Sequence, residues 1–387
     1  MTAFRSPLML SGLLLAACAL LPAAGEARER SRPEKVPVFD GLKVVTVARD
    51  LEHPWGLAFL PDASMLVTER PGRLRHITRD GSVSPPLAGL PGIAAGGQGG
   101  LLDVVTDPDF AGNRRVYLSY TAADGRVNSL AVARGTLSAD ARRLESVQVI
   151  FQQQPKVDSS GHFGGRLVFA RDGTLFVTLG DRQRASERDK AQSLAHHHGK
   201  VVRIHADGRV PADNPFVTTA GALPEIWSLG HRNPQGAALH PVTGELWISE
   251  HGPQGGDEIN RVRAGGNYGW PVVSHGCEYV SCRPIGEGPR APGMTDPVTY
   301  WIPTSIAPSG LAFYTGNRYP GWQGNLFSGA LAGQALWRLQ LDGDRVIGRQ
   351  ALLSGYGERI RDVRQGPDGW LYLLTDSGAG RLLRLER

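Results

Sequence analysis

The sequence predicts an all-β fold built from one unit repeated six times, and three observations support this. Beyond Asp40, a short apolar strand, a polar turn often of the Asp-Gly type, a second apolar strand and then an acidic or glycine-rich stop recur in the same order. The 50 glycines and 27 prolines are spread along the chain, as turns between many short strands require. No long stretch has helical periodicity. Packing such units around an axis buries their apolar faces, so we expect a six-bladed β-propeller with four-stranded antiparallel blades.

The six copies are unevenly spaced, at intervals of roughly 45 to 75 residues, which is a range found in propellers and other repeat arrays. Their strand pairs are 54–59 with 65–68, 101–105 with 116–119, 166–169 with 174–178, 235–239 with 245–249, 309–313 with 325–328, and 360–363 with 370–374. A β-sandwich with coincidental hairpins is the alternative, and six copies in one order argue against it. The longest irregular stretch, Gly252 to Ile306, is expected to form a wall of the site, because loops at one mouth of a propeller usually build it.

The N-terminus has the pattern of an export signal over residues 1–27. Arg5 precedes an apolar run from Leu8 to Leu21, and small residues around Pro22–Ala27 offer cleavage sites. The residues leading to Cys18 (Leu-Ala-Ala-Cys) also resemble a lipobox, which would place a lipid on that cysteine. Either signal exports the chain, so the expected location is the periplasm, as a free or a lipid-anchored protein.

After the signal, we expect a flexible segment at 28–40 and a propeller domain at 41–387, with no later segment apolar enough to cross a membrane. Two cysteines remain, Cys277 and Cys282, and an oxidising compartment favours a local disulfide over two reduced thiols. The net charge of +5 comes mainly from arginines scattered among acidic residues, so nucleic-acid binding is not expected. A monomer and a homodimer both remain open.

Polar residues stand at matching positions at the starts of several copies. His162 lies in a glycine-flanked loop before the third copy, where a neutral imidazole would be available as a base near pH 7. The others are Gln98 before the second copy, Arg232 and Asn233 before the fourth, and Arg359 and Arg361 at the sixth. Guanidinium groups that converge on one mouth would suit a small polyanionic ligand. For any single residue, a backbone-bonded histidine or a surface salt bridge is the simpler interpretation.

Two further motifs bear on metal binding. The segment 250–258 (Glu-His-Gly-Pro-Gln-Gly-Gly-Asp-Glu) offers carboxylates and turn carbonyls, the oxygen ligands that calcium prefers. Its spacing is not that of an EF-hand, and an ordinary acidic turn is the alternative. Three adjacent histidines at 196–198 would point in different directions, so joint chelation is not expected. The sequence has no Gly-x-Ser-x-Gly elbow, zinc-type cysteine pairs, Walker loop or dinucleotide-binding glycine fingerprint.

Together and in order, these segments resemble the soluble aldose sugar dehydrogenases of the glucose/sorbosone dehydrogenase family, from about Leu42 to the C-terminus. The matching segments are 162–167 (His-Phe-Gly-Gly-Arg-Leu), 232–236 (Arg-Asn-Pro-Gln-Gly), 250–253 (Glu-His-Gly-Pro), 256–260 (Gly-Asp-Glu-Ile-Asn), 266–271 (Gly-Asn-Tyr-Gly-Trp-Pro), 307–310 (Ala-Pro-Ser-Gly) and 359–363 (Arg-Ile-Arg-Asp-Val). Each segment alone is a weak signal, whereas their shared order over five blades is highly specific.

The resemblance implies a quinoprotein that oxidises aldose sugars at the anomeric carbon to lactones, with pyrroloquinoline quinone as oxidant and calcium as Lewis acid. It implies that His162 is the general base and that Gln98 contacts the substrate. The cofactor contacts that it implies are Arg232, Asn233, Tyr279, Ser305, Ala330, Ala332, Arg359 and Arg361. The calcium ligands that it implies are the carbonyls of Gly252 and Pro253 beside the cofactor, and Glu258 and Tyr268 at a second, structural site. An external quinone or cytochrome would accept the electrons.

One position departs from the family pattern. Where the family often has lysine in a Gly-Ala-Leu-Lys segment, residues 329–332 read Gly-Ala-Leu-Ala, so one charge partner is missing and weaker quinone binding is expected. Two other functions remain open. One is a calcium-dependent propeller lactonase or other hydrolase with His162 as base. The other is a non-catalytic propeller that binds carbohydrate or protein. The arginines favour the quinone, because a lactonase does not need them.

Overall fold

Residues 36–387, which the computed structural model describes, form six antiparallel sheets whose first strands contact one another in a ring. This confirms the predicted six-bladed β-propeller. The predicted signal at 1–27, with Cys18, and residues 28–35 of the predicted flexible segment lie outside the described residues. Within the described range, no helix is long and apolar enough to span a membrane.

The chain enters with β1 (Val38–Phe39) and β2 (Leu42–Leu51), and both join the last blade. Each blade then starts with a strand that lines the central channel. The first three blades contain β3 (Pro54–Phe59), β4 (Met65–Glu69) and β5 (Arg73–Ile77); β6 (Leu101–Thr106), β7 (Arg115–Asp124), β8 (Val127–Leu137) and β9 (Leu144–Gln152); and β10 (Gly164–Phe169), β11 (Thr174–Leu179), β12 (Lys200–His205) and β13 (Ile226–Leu229).

The last three blades contain β14 (Pro234–Leu239), β15 (Leu246–Glu250), β16 (Asp257–Val262) and β17 (Thr299–Trp301); β18 (Pro308–Phe313), β19 (Leu326–Ala330), β20 (Ala335–Asp342) and β21 (Arg345–Leu352); and β22 (Ile360–Gln365), β23 (Leu371–Thr375) and β24 (Gly380–Glu386). The connections carry two single-turn helices within the described residues, α1 (Phe110–Asn113) and α2 (Ala185–Arg188), and a 3₁₀ turn at Asp189–Gln192.

The N-terminal strand closes the ring. β2 pairs with β24, and β1 pairs with β2, so the last sheet has five strands. The first sheet has three strands and one further bridge between Ile77 and Val83, and the other four sheets of the described range have four each. β1 lies within the segment that the sequence predicts to be flexible. Its pairing of Val38 with Lys43 extends the ordered domain to before residue 41.

Every interface between neighbouring blades holds an apolar cluster. The third and fourth blades, for example, meet through Phe176, Val201 and Leu246. The last and first blades meet through Leu51 and Met65, among others. Because burying one large aliphatic side chain contributes about 1.5–3 kcal/mol, these interfaces stabilise the closed ring.

The channel-lining strands place their preceding loops at one mouth. The downstream halves of these strands in residues 36–387 line a cavity of about 440 Å³, so the strand beginnings meet at the opposite end of the channel. In each of them the pairing with the second strand shifts near that end, as between Gly164 and Leu167 in β10. Such β-bulges redirect side chains. The predicted site residues at blade starts therefore share one mouth.

Candidate active site

His162 occupies a tight turn directly before β10. Its φ is 45° and the residue is 4% exposed. The facing turn approaches it closely, because a Cβ on Gly180 would lie 2.1 Å from the backbone oxygen of His162. Only glycine permits that approach, and the imidazole is therefore held between two packed turns.

A carboxylate fixes the tautomer of His162. Nδ1 of His162 lies 2.6 Å from Oδ1 of Asp181. The same carboxylate accepts the backbone N–H of Gln183 at 2.8 Å and the indole N–H of Trp270 at 2.8 Å. Surrounded by donors, Asp181 accepts a hydrogen bond from Nδ1–H of His162, which leaves a lone pair on Nε2. Burial and then the charge of Arg232 lower the pKa of His162, so the imidazole is neutral near pH 7.

Gln98 reaches the same turn from the second blade. Its side-chain Oε1 accepts the backbone N–H of His162 at 2.9 Å, and its own backbone N–H donates to the carbonyl of Ser160 at 2.8 Å. Gln98 is exposed. The predicted substrate contact therefore lies beside the predicted base, on the solvent side of the turn.

Arg232 lies buried at the start of the fourth blade. Its Nη1 donates to the carbonyls of His251, at 3.1 Å, and Gly252. Its guanidinium carbon lies 5.2 Å from the ring centroid of Trp270 and 6.0 Å from that of Tyr279, which is 56% exposed. Because Trp270 also binds the carboxylate that holds the predicted base, Arg232 and the base share one wall, and Tyr279 forms its rim.

Arg359 and Arg361 of the sixth blade both contact the carboxylate of Asp376. Arg361 is buried, and its Nη2 donates to Oδ2 of Asp376 at 2.6 Å while its Nη1 donates to Oε1 of Gln235 at 2.6 Å. The side chain of Arg359 is 45% exposed and makes longer contacts with Asp376, at 3.5 Å, and with the carbonyl of Leu331, at 3.4 Å. Arg361 is thus rigidly held, whereas Arg359 is loosely held at the mouth.

Contacts between blades bring these groups close together. Nη1 of Arg361 donates to Oε1 of Gln235 on the fourth blade, and Arg232 packs against Trp270, which binds Asp181, the partner of His162. The predicted base and the arginines of the fourth and sixth blades are therefore neighbours. Burial lowers the pKa of His251, in the same region, well below its usual value, and the charges of His162, Arg232 and Arg361 act in the same direction.

Buried donors of this site lack partners. Among the described residues, nothing accepts a hydrogen bond from Nε of Arg232, Nε of Arg361 or Nδ2 of Asn233. The other side-chain atom of Asn233, Oδ1, accepts the N–H of Gly164 at 3.1 Å, so its orientation is fixed. An unpaired buried donor costs about 1–3 kcal/mol. The orphaned donors therefore suit a ligand with several carboxylate oxygens.

Asp257 organises the turn that carries Gly252 and Pro253. Its Oδ1 accepts the N–H of Gly252 at 2.8 Å, and its Oδ2 accepts the hydroxyl of Ser305 at 2.5 Å and the N–H of Ile306 at 2.6 Å. The hydroxyl of Ser305, predicted to contact the cofactor, donates its proton to this carboxylate and retains only acceptor capacity. Gly252 and Pro253 are buried, and both line the small cavity next to this turn.

Glu258 and Tyr268 line that cavity, whose volume is about 20 Å³. Nδ2 of Asn260 donates to both Glu250, at 2.7 Å, and Glu258, at 3.0 Å, so two carboxylates lie side by side. Burial and the charge of Glu250 raise the pKa of Glu258 to about 8. Oδ1 of Asn260 has no partner among residues 36–387, and the hydroxyl of Tyr268 is paired with the backbone of Arg261.

No three His, Cys, Asp or Glu side chains of the described range cluster as metal ligands. The carboxyl groups of Glu250 and Glu258 nevertheless both line the cavity, which has room for about one water-sized sphere. Hard cations such as calcium prefer these ligands. The cavity therefore fits a small cation.

The two cofactor contacts predicted on the fifth blade, Ala330 and Ala332, differ in their exposure. Ala330 ends β19 fully buried in an apolar cluster that includes Ile306, and it pairs with Pro308 and Ala335 in the sheet, so none of its atoms is exposed to a ligand. Ala332 is exposed in the next turn, and its N–H donates to the carbonyl of Ile306 at 3.0 Å. The carbonyl between them, that of Leu331, accepts from Arg359. This turn therefore reaches the site mouth.

Three carboxylates hold site residues in a way that the sequence analysis did not predict, although Glu250 was noted there as part of an acidic segment. Asp181, Glu250 and Asp376 all stand at the end of the second strand of a blade. They hold His162, the backbone N–H of Arg232 at 2.9 Å, and Arg361, respectively. The sequence signal was the acidic stop that recurs after the second strand. Trp270 and Asp257, which orient their neighbours from the long loop, had no comparable signal.

The comparisons with known proteins agree with this geometry. The family model for glucose/sorbosone dehydrogenases matches residues 51–384. The chain belongs to the glucose/sorbosone dehydrogenase family. It is 47% identical over 347 residues to aldose sugar dehydrogenase YliI of Escherichia coli K12, which covers 88% of this chain and 92% of that protein. The family predicted by resemblance is thereby confirmed.

Solved structures of relatives show the same fold. The apo-form of the soluble aldose sugar dehydrogenase of Escherichia coli is 45% identical, with a TM-score of 0.86 over 89% of this chain and 99% of that one. The aldose sugar dehydrogenase of Streptomyces coelicolor, solved with pyrroloquinoline quinone bound, is 30% identical, with a TM-score of 0.74 over 89% and 98% of the two chains. The predicted disulfide also forms, between Cys277 and Cys282 in the long loop.

Proposed function

We propose that the protein is a quinone-dependent aldose sugar dehydrogenase that oxidises aldoses at the anomeric carbon to lactones. The observation that carries this proposal is that His162, with a free Nε2, shares one space with the buried guanidinium groups of Arg232 and Arg361. A tricarboxylate such as pyrroloquinoline quinone matches the orphaned donors there. A lactonase would leave those donors without a partner, so the site favours the quinone.

The quinone and the side chains of this protein would have separate roles in the reaction. When bound, the quinone supplies a two-electron acceptor for the hydrogen of the anomeric carbon, a redox capacity that side chains lack. His162 accepts the proton of the anomeric hydroxyl on Nε2, and Asp181 stabilises the imidazolium through the 2.6 Å hydrogen bond to Nδ1. Gln98, on the solvent side of the same turn, orients the sugar.

Calcium is part of the proposal. The carbonyl of Pro253, together with the lone pair of the Gly252 carbonyl that Arg232 does not use, would hold an ion at the quinone, where a cation withdraws electron density from a carbonyl group. At the structural site, Glu258 would bind through its carboxylate. Tyr268 would bind through its backbone carbonyl, because its hydroxyl is already paired.

The test of the function is direct. Purified protein is supplied with pyrroloquinoline quinone and calcium, and dye reduction is followed with a panel of aldoses. The expected result is sugar-dependent reduction that requires the quinone. No change in quinone absorption and no turnover across the panel would contradict the proposal and favour a hydrolase or a binding protein.

We propose that the enzyme works in the periplasm. The disulfide between Cys277 and Cys282 supports an oxidising compartment. Fractionation of cells that express the full chain checks this, because recovery of the protein in the cytoplasm with both thiols reduced would contradict it. The electron acceptor would then be a quinone or a cytochrome accessible from that compartment.

Calcium should stabilise the fold in a pH-dependent way. In EDTA we expect the melting temperature to fall between about pH 5 and pH 8. A carboxyl with a raised pKa keeps its proton in the folded state, so stability is lost as pH rises towards about 8. Excess calcium should raise the melting temperature at pH 8 by roughly 5 °C. Glu258→Gln should remove most of this gain, and Glu145→Gln, at a half-exposed position in the second blade, should not. An equal calcium response in both variants would contradict the assignment.

Restoring the missing lysine should strengthen quinone binding. Ala332 is exposed in the turn beside Arg359, so a lysine side chain has room to reach the mouth. Solvent screens an exposed charge, which contributes about 0–1 kcal/mol, so Ala332→Lys should lower the quinone Kd by about threefold. The matched control is Ala332→Gln, which adds length without charge. Unchanged affinity in a titration of the lysine variant would show that this position is outside the site.

A further inference from the structure

A buried charge cluster fills the channel next to the candidate active site. It consists of Asp103, Arg166, Asp362 and Arg364, and we call it the axial cluster. The first three are at most 1% exposed. They come from the channel-lining strands β6, β10 and β22. The cluster lies between the site mouth and the cavity of about 440 Å³ at the other end, which Arg364 also lines.

Glycines on the other strands make room for the axial cluster. A Cβ on Gly56 in β3 would lie 2.6 Å from Oδ1 of Asp103, and a Cβ on Gly310 in β18 would lie 2.2 Å from Oδ1 of Asp362. In a close-packed interior neither side chain has space to withdraw. The channel is therefore built around these charges.

The charges of the axial cluster balance, and each arginine contacts both carboxylates. Arg166 lies 3.2 Å from Asp103 and 3.1 Å from Asp362. Arg364 lies 3.2 Å and 3.0 Å from the same two groups. Because Arg166 and Arg364 contact the same two carboxylates, any difference in their effect on the candidate active site must come from their other contacts.

Arg166 differs from Arg364 in the hydrogen bonds that it donates towards the candidate active site. Its Nε donates to the carbonyl of Gln235 at 2.6 Å, and its Nη2 donates to the carbonyl of Arg361 at 3.2 Å. Its guanidinium carbon lies 4.0 Å from the ring centroid of Trp55. Gln235 and Arg361 also bind each other through their side chains at 2.6 Å. One buried guanidinium thus fixes both the backbone of Arg361 and that of its side-chain partner.

We propose that Arg166 is a positioning residue that sets the placement of the Arg361 guanidinium, and thereby the affinity of the site for the carboxylates of the quinone. The inference rests on the proposed function, in which Arg361 binds the quinone. Arg166 itself reaches the ligand only through Arg361 and Gln235. Arg364, which contacts the same carboxylates from the other side, has no such effect.

The test compares two charge-balanced double variants. Arg166→Met with Asp362→Asn removes one arginine and one carboxylate, and Arg364→Met with Asp362→Asn removes the same pair of charges while Arg166 keeps its bonds to the two carbonyls. Quinone is titrated into each full-length apoprotein with calcium present, and melting temperatures are measured in parallel. Arg361→Met serves as the reference for loss of the quinone contact.

We expect both double variants to melt earlier, and the Arg166 variant to bind quinone at least tenfold more weakly than the Arg364 variant, which stays within threefold of wild type. Kd values within threefold of each other would overturn the inference. If the Arg166 double variant does not fold, Arg166→Lys replaces it. Lysine keeps the charge but lacks the fork that reaches both carbonyls, so tenfold weaker binding is again expected and threefold or less overturns the inference.

The same titration separates this inference from the proposed function. A wild-type protein that does not bind quinone would contradict both. Quinone binding that Arg361→Met weakens and that the Arg166 variants leave unchanged would contradict only the role of Arg166.

Discussion

Replacing His162 with alanine is expected to lower kcat for aldose oxidation by about 10²–10⁴-fold, the range that a general base contributes. The neighbouring His251 is a poor substitute, because burial lowers its pKa well below the usual value and its imidazole therefore binds a proton weakly. Quinone affinity should change little, since His162 is not among the orphaned donors. The measurement is kcat at saturating quinone and sugar, together with a quinone titration.

The pH profile gives a second check on the base. Burial and the charge of Arg232 lower the pKa of His162 from the usual histidine value of about 6.5, so kcat/KM of the wild type should be level at pH 7 and fall on the acid side of pH 6.5, where the imidazole takes up a proton. The matched control is His76→Ala, on β5 of the first blade. A His162 variant that keeps a tenth or more of wild-type kcat would remove the residue from this role.

Replacing Arg232 with methionine is expected to weaken quinone binding by about 100-fold. Its guanidinium is buried and has a donor without a partner among the described residues, so it contributes a charge-assisted hydrogen bond of about 1.5–3 kcal/mol in a dry site. The loss of its charge should also raise the pKa of His162 and move the acid limb of kcat/KM to higher pH. Quinone titration and the pH profile measure the two effects.

Arg359→Met is the matched control for this prediction. The Arg359 side chain is 45% exposed and its contacts are 3.4–3.5 Å long, so solvent screens it and its removal should cost threefold or less. Equal losses in both variants would mean that total positive charge at the mouth, and not the buried fork of Arg232, determines affinity.

The fold was predictable because a propeller repeats its pattern. Each copy has an apolar strand pair and a turn, so the two innermost strands of all six blades could be located from sequence. β1 was missed because two residues, Val38 and Phe39, are too few to show a period. The shared mouth of His162, Arg232 and Arg361 followed from their equivalent positions before or within the first strands, which only a ring brings together.

The residues that hold the site residues in place were less predictable from sequence. Asp181 lies 19 residues after His162 and Asp257 lies 48 residues before Ser305, and no local pattern reports such pairings. The acidic stops were visible in sequence, but their partners depend on how blades pack. The exact roles of Ala330 and Ser305 also needed coordinates, because a buried methyl group and a hydroxyl already engaged by Asp257 look the same in sequence as available ones.

The pairing of β2 with β24 joins residues near the two ends of the described chain, as between Lys43 and Glu386. The last blade, and with it the setting in which Asp376 anchors Arg361, therefore cannot be completed until the chain has been synthesised as far as β24. A ligand that needs Arg361 in place would be captured only after that step.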